Sequence, residues 1–146
     1  MWSSMEGIIA EMFALLVEAP REKAGLVLYS INNFYTWLSI MDDLISIDSR
    51  FAPIKSEWGQ IAEKLKGLND IRVRLAHHTS FSEDSPTPQE RPSLRPSHMD
   101  TRSKSRKYRP LSGKEIDAFC DEVDAVLDRL FALQHAIASL PQKSGE

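Results

Sequence analysis

The sequence predicts an all-α protein, an up-and-down bundle of four main helices with a long loop before the last. Three observations lead there. Apolar residues recur at spacings of three and four through most of the chain, the period of a helix with one buried face. No strand-like alternation, internal repeat or glycine-rich phosphate loop interrupts that period. Five of the eight prolines fall between Ser80 and Pro110, so structure-breaking residues are concentrated in one stretch.

The first helix is expected from Trp2 to about Val17, with Met5, Ile8, Ile9, Met12, Phe13 and Leu16 on its buried face. Pro20 ends it or opens the next. From Glu22 to about Ile47 no glycine or proline follows Gly25, which predicts one long second helix ending at Asp48 and Ser49. The third begins near Pro53, since proline is tolerated in a first helical turn. Its stripe runs through Ile54, Trp58, Ile61, Leu65, Leu68, Ile71 and Leu75. After the Pro/Ser-rich loop, Ser112-Gly113-Lys114-Glu115 has capping-box spacing. The last helix then carries Ile116, Phe119, Cys120, Val123, Val126, Leu127, Leu130, Phe131, Ile137 and Leu140 on its apolar stripe. Residues 1–140 read as one domain containing the loop at 80–110, and 141–146 as a frayed tail.

A chain of 146 residues is long enough to bury a sizeable core. Its formal charge of −3 hides a strong asymmetry. Between Arg91 and Arg109 seven basic residues face only Asp100, a local net of +6 that leaves −9 on the rest. An acidic body with a basic loop suits an anionic ligand or self-docking. The single cysteine, Cys120, cannot form an intrachain disulfide, and its place on the apolar stripe predicts a buried, inert thiol. With no basic leader and no apolar run of membrane-spanning length, the reading is a soluble cytoplasmic protein without membrane attachment.

Chemistry concentrates in Leu68-Asn69-Asp70-Ile71-Arg72-Val73-Arg74-Leu75-Ala76-His77-His78, two arginines and two histidines in the last turns of the third helix. At about 100° per residue, Arg72 falls inside the stripe of Leu65, Leu68, Ile71 and Leu75. A guanidinium there needs an ion-pair partner or an interface. Asp42 or Asp43 would supply such a pair, and the negative end of the helix dipole would favour the cluster without any further function. The histidines have an ordinary use as well, capping the last carbonyls.

The Arg-x4-His spacing of Arg72 and His77, with Arg-Leu-Ala-His inside it, resembles the motif of HEPN domains, a superfamily of helical bundles. The helix order, the motif at the end of the third helix and an apolar last helix agree with that resemblance. It implies a homodimer with two motifs facing each other across a cleft that holds RNA or a nucleotide. In active members the activity is a metal-independent endoribonuclease of toxin or defence type, so an antitoxin-type protein partner is also implied. Carried onto this chain, His77 is the acid or base and Arg72 the phosphate clamp, with no cofactor. The residue after the arginine, commonly polar in active members, is Val73 here. Some members are non-catalytic, and the alternative is a helical dimerisation or adaptor module with Arg72 in an interface ion pair.

Geometry conditions the catalytic assignment. Five helical steps separate Arg72 and His77 by roughly 140°, so either the helix ends near Ala76 or two subunits contribute. Arg74 and His78, at i and i+4, form the alternative pair. Asn33, flanked by Ser30, Asn32, Tyr29 and Tyr35, is a candidate cleft-lining residue, or else a site of cross-helix hydrogen bonding. Arg102, Lys104, Arg106, Lys107 and Arg109, with Tyr108 among them, are candidates for nucleic-acid binding through phosphate contacts and base stacking. No metal site is expected. His77, His78 and His98 lack a cysteine cluster, and adjacent histidines on a helix point apart.

Overall fold

The computed structural model describes residues 1–81, 93–96 and 110–141. Its elements in order are α1 (Trp2–Leu16), α2 (Arg21–Tyr29), α3 (Phe34–Ile47), a 3-10 helix (Ser49–Ile54), α4 (Lys55–His77), β1 (His78–Phe81), β2 (Ser93–Pro96) and α5 (Gly113–Ala138). The protein is predominantly helical, as its periodicity requires. There are five α-helices among the described residues where four were expected, and β1 and β2 form an antiparallel pair where no strand was expected. The pair runs in register from His78 opposite Pro96 to Phe81 opposite Ser93. Four-residue strands are too short for alternation to stand out from the sequence around them.

The extra helix arises from a break between Tyr29 and Phe34. Ser30 Oγ donates to the carbonyl of Val27 at 2.6 Å, and Asn33 Oδ1 accepts from the backbone N–H groups of Tyr35 at 2.9 Å and Thr36 at 3.3 Å. Asn33 is therefore the N-cap of α3. Short polar side chains compete for backbone partners and so end helices without glycine or proline. Trp37 Nε1 donates to the carbonyl of Ile31 at 2.9 Å, and the Trp37 ring meets Tyr29 edge-on with centroids 5.1 Å apart. Replacing Asn33 with alanine is expected to lower unfolding free energy by about 1 kcal/mol, read from the midpoint of urea denaturation.

The chain divides into two compact units, residues 1–66 with 123–146, and residues 67–122. In the first unit the expected stripe of α1 is buried in full: Met5, Ile8, Ile9, Met12, Phe13 and Leu16. Leu28, Trp37, Leu38, Met41 and Ile45 add α2 and α3 to the core, and Trp58, Ile61 and Leu65 add the first half of α4. From α5 come Val123, Val126, Leu130, Leu133 and Ile137. Phe131, assigned to the apolar stripe by sequence, is instead 49% exposed, while Leu133 takes a core position. The two differ by about 200° around the helix, so a wide apolar arc concealed which edge is covered.

Two polar arrangements brace this unit. α1 closes through Glu18 in the left-handed region (φ 52°), with the Ala19 N–H donating to the carbonyl of Ala14 at 3.1 Å. This is the helix-ending pattern that glycine usually serves. Here the side chain explains the residue, because Arg50 Nη1 donates to Glu18 Oε1 at 2.8 Å. Arg50 also grips Asp48 through Nε at 3.0 Å and Nη2 at 2.7 Å, and donates to the Pro141 carbonyl at 3.3 Å. The hydrogen bonds that Arg50 donates to Asp48 and Glu18 raise its pKa further.

The second brace joins α5 to α4, with Arg129 Nε donating to Glu57 Oε1 at 2.7 Å and Nη2 to Gln60 Oε1 at 3.1 Å. The Arg129 hydrogen bond holds the Glu57 carboxyl below the usual carboxylate range. A depressed carboxyl pKa contributes stability at neutral pH that is lost as pH falls through the depressed value. Glu57 is substantially solvent-exposed, which limits the effect to about 0.2–1 kcal/mol. Comparing melting temperatures of the wild type and Glu57→Gln across the acid limb should show the variant less acid-sensitive, with the gap closing as pH falls.

Candidate functional site

The second unit contains the end of α4, the strand pair and the start of α5. Its helix start follows the expected capping box: Ser112 Oγ accepts from the Glu115 N–H at 3.2 Å, and Glu115 Oε2 accepts from the Ser112 N–H at 2.9 Å. Leu111 is buried at the edge of this start. Cys120 is half-buried, more open than its stripe position suggested.

Along α4, burial ends at Asn69. Leu68 and Asn69 are buried, Ile71, Arg74 and Leu75 are half-buried, and Arg72, Val73, Ala76 and His77 are exposed. This corrects the expectation for Arg72. Helical periodicity assigns it to the apolar side, but side-chain burial requires a neighbour covering that side, and past Asn69 the covering is partial. Arg72 does have a polar or electrostatic partner. Arg74 is the more enclosed of the two arginines, with a buried Nε and an Nη2 that donates to the Pro110 carbonyl at 3.4 Å.

The helix ends at His77, one residue past Ala76, so Arg72 and His77 both lie within it. Arg72 and His77 are consequently some 140° apart around one unbroken helix and about 7.5 Å apart along its axis. One copy of α4 does not bring them onto a common face. Of the alternative pair, Arg74 lies within α4 and His78 opens β1. Asn33 belongs to the first unit, where both N–H groups that its Oδ1 accepts are spent on capping α3. Arg102, Lys104, Arg106, Lys107 and Arg109 lie outside the described residues, as does His98.

Among the described residues no group of three His, Cys, Asp or Glu side chains is placed to hold a metal ion. None of the described helices is long and apolar enough to cross a membrane. In the first unit an open groove of about 330 Å³ is flanked by Glu11, Glu18, Arg21 and Gln134. Its carboxylates are already engaged, Glu11 with Arg21 at 2.7 Å and Glu18 with Arg50 at 2.8 Å. The α4 end is thus the better candidate, with Arg72 and His77 exposed on its last two turns.

Sequence reasoning passed over Asn69. It is the one polar side chain buried among the described residues, 5% exposed, and its Oδ1 has no hydrogen-bond partner there. A visible signal existed: Asn69 lies four residues after Leu65 and eleven after Trp58, on the buried face of the helix. An unsatisfied buried acceptor costs about 1–3 kcal/mol. Comparisons with protein-family models, curated proteins and solved structures return no match for this chain.

Proposed function

We propose that this protein acts as a homodimer that binds RNA in a cleft formed by two α4 ends, within an up-and-down HEPN-like bundle, and cleaves it without a metal ion. The observation that carries this reading is the continuity of α4 through His77. It keeps Arg72 and His77 both exposed and five residues apart on one helix, so a single phosphate is reached by both only when the arginine of one copy faces the histidine of another.

The chemistry suits those side chains. An imidazole takes the proton from a ribose 2′-OH, the 2′ oxygen attacks the adjacent phosphorus, and the bond to the 5′ oxygen breaks as that oxygen is protonated. The products are a 2′,3′-cyclic phosphate and a 5′-hydroxyl. Each of the two composite sites pairs one His77, which takes the 2′-OH proton and returns it to the leaving 5′ oxygen, with the other copy's Arg72, whose guanidinium meets the charge on the phosphorane-like transition state. The basic segment carrying Arg102, Lys104, Arg106, Lys107 and Arg109 would add phosphate contacts. A toxin or defence role with an antitoxin-type partner, in a reducing cytoplasm suited to the lone Cys120, completes the reading.

A second reading is a non-catalytic dimerisation or adaptor module with Arg72 in an interface ion pair. Val73, 42% exposed, favours it, because an apolar group at that position offers contact area and no chemistry. Incubating the purified protein with mixed RNA in the presence of a chelator separates the two. Cleavage that disappears in Arg72→Ala and His77→Ala supports the nuclease. No cleavage between mildly acidic and neutral pH, from a protein that is dimeric by light scattering, supports the adaptor.

A further inference from the structure

Polarity is inverted within one turn of α4. Asn69 and Val73 are four residues apart and share a helical face, yet the amide is 5% exposed and the valine 42%. Asn69 Oδ1 is buried and accepts no hydrogen bond among the described residues. Exchanging the two characters, apolar at 69 and polar at 73, would relieve a buried unsatisfied acceptor and cover an exposed apolar group at once. The chain does the reverse in the turn that leads into Arg72.

Helix geometry connects this amide to the arginine. Side chains on an α-helix tilt toward its N-terminus, so Arg72 leans back over the turn that holds Leu68 and Asn69. A guanidinium carries five N–H donors in a planar fork and can keep its existing partner while donating to another acceptor. The χ2 torsion of asparagine is broad, which lets Oδ1 turn toward the helix surface without any change in the backbone. Val73 offers no acceptor at all.

We propose that Asn69 is a positioning residue for Arg72: its Oδ1 is the acceptor on which the guanidinium settles when the arginine presents its remaining N–H groups to an RNA phosphate. The charge-assisted hydrogen bond fixes the plane of the fork, which a two-pronged phosphate contact requires. This rests on the RNA-binding reading, because Oδ1 has no hydrogen-bond partner among the described residues of the free protein and the contact forms with RNA bound.

Nitrogen NMR of the isotopically labelled full chain, bound to a single-stranded mixed-sequence RNA oligonucleotide, reads that contact. The Arg72 Nε–H signal, identified by its loss in Arg72→Lys, is expected to shift in Asn69→Leu and to return toward its original position in Asn69→Asp, which keeps an acceptor oxygen. Asn69→Leu should also raise the melting temperature by a few degrees. With a single-stranded mixed-sequence RNA oligonucleotide, the salt slope of log affinity should shrink by about 0.7 in Arg72→Ala. Asn69→Leu should weaken binding of the wild type and have no further effect in the Arg72→Ala background. An unmoved Nε–H signal in Asn69→Leu overturns the proposal, as does a drop in melting temperature, which would make Asn69 an ordinary structural residue. A wild type that binds no RNA overturns the RNA reading and this proposal with it, whereas RNA binding with an unmoved signal overturns the proposal alone.

Discussion

His77→Ala is expected to reduce metal-independent RNA cleavage by about 10²–10⁴-fold, the usual contribution of a positioned general acid or base. Its melting temperature should stay close to that of the wild type, because the imidazole is exposed on the last turn of α4 and supports no core contact. Arg72→Ala should reduce cleavage too, and lower the salt dependence of RNA binding, since it removes a phosphate contact. The decisive variant experiment is a mixture. If the site is shared between copies, Arg72→Ala and His77→Ala protomers combined after dissociation should regain part of the lost activity, because half of the sites in a mixed dimer carry an intact pair. Activity in the mixture no higher than in either variant alone would eliminate the two-copy site. Cleavage that persists in both single variants would show that the activity belongs to something other than these side chains.

The second large effect is on stability. Trp58→Ala should lower unfolding free energy by about 3–5 kcal/mol, a large share of the roughly 5–15 kcal/mol that holds a typical domain together. Trp58 is fully buried in the first unit, on the α4 face that also carries Ile61 and Leu65. Truncation there loses the buried aromatic surface and leaves a cavity that neighbours fill only partly. Trp58→Phe is the informative control. Trp58 Nε1 is buried with no hydrogen-bond partner among the described residues, so phenylalanine removes an unsatisfied donor along with part of the ring. Its penalty should be well under half that of alanine. Equal penalties in urea denaturation would show that the indole N–H is satisfied in solution and that its bond matters.

The helices were legible because their evidence is local. The α1 stripe from Met5 to Leu16 repeats at three and four, and every residue assigned to it is buried. The start of α5 was equally clear, since a capping box needs only Ser112 and Glu115 at the right spacing. The break after Tyr29 was not, though its agents were in view. Ser30 and Asn33 act through hydrogen bonds to nearby backbone, and such residues also occur within helices facing solvent. Only the turn geometry distinguishes the two uses.

For the candidate site, the sequence by itself determined the residue types, their spacing and their place at the end of a helix. It determined too that Arg72 lies on the apolar side and that His77 points elsewhere, because both follow from the 3.6-residue period. What the tertiary structure alone decided is how far the covering of α4 reaches. Burial stops at Asn69, leaving Arg72 exposed and an asparagine enclosed. It decided as well that α4 runs through His77 and that His78 belongs to a strand. Periodicity specifies a direction around an axis. Burial depends on which other segments arrive on that side, and those segments are distant in sequence.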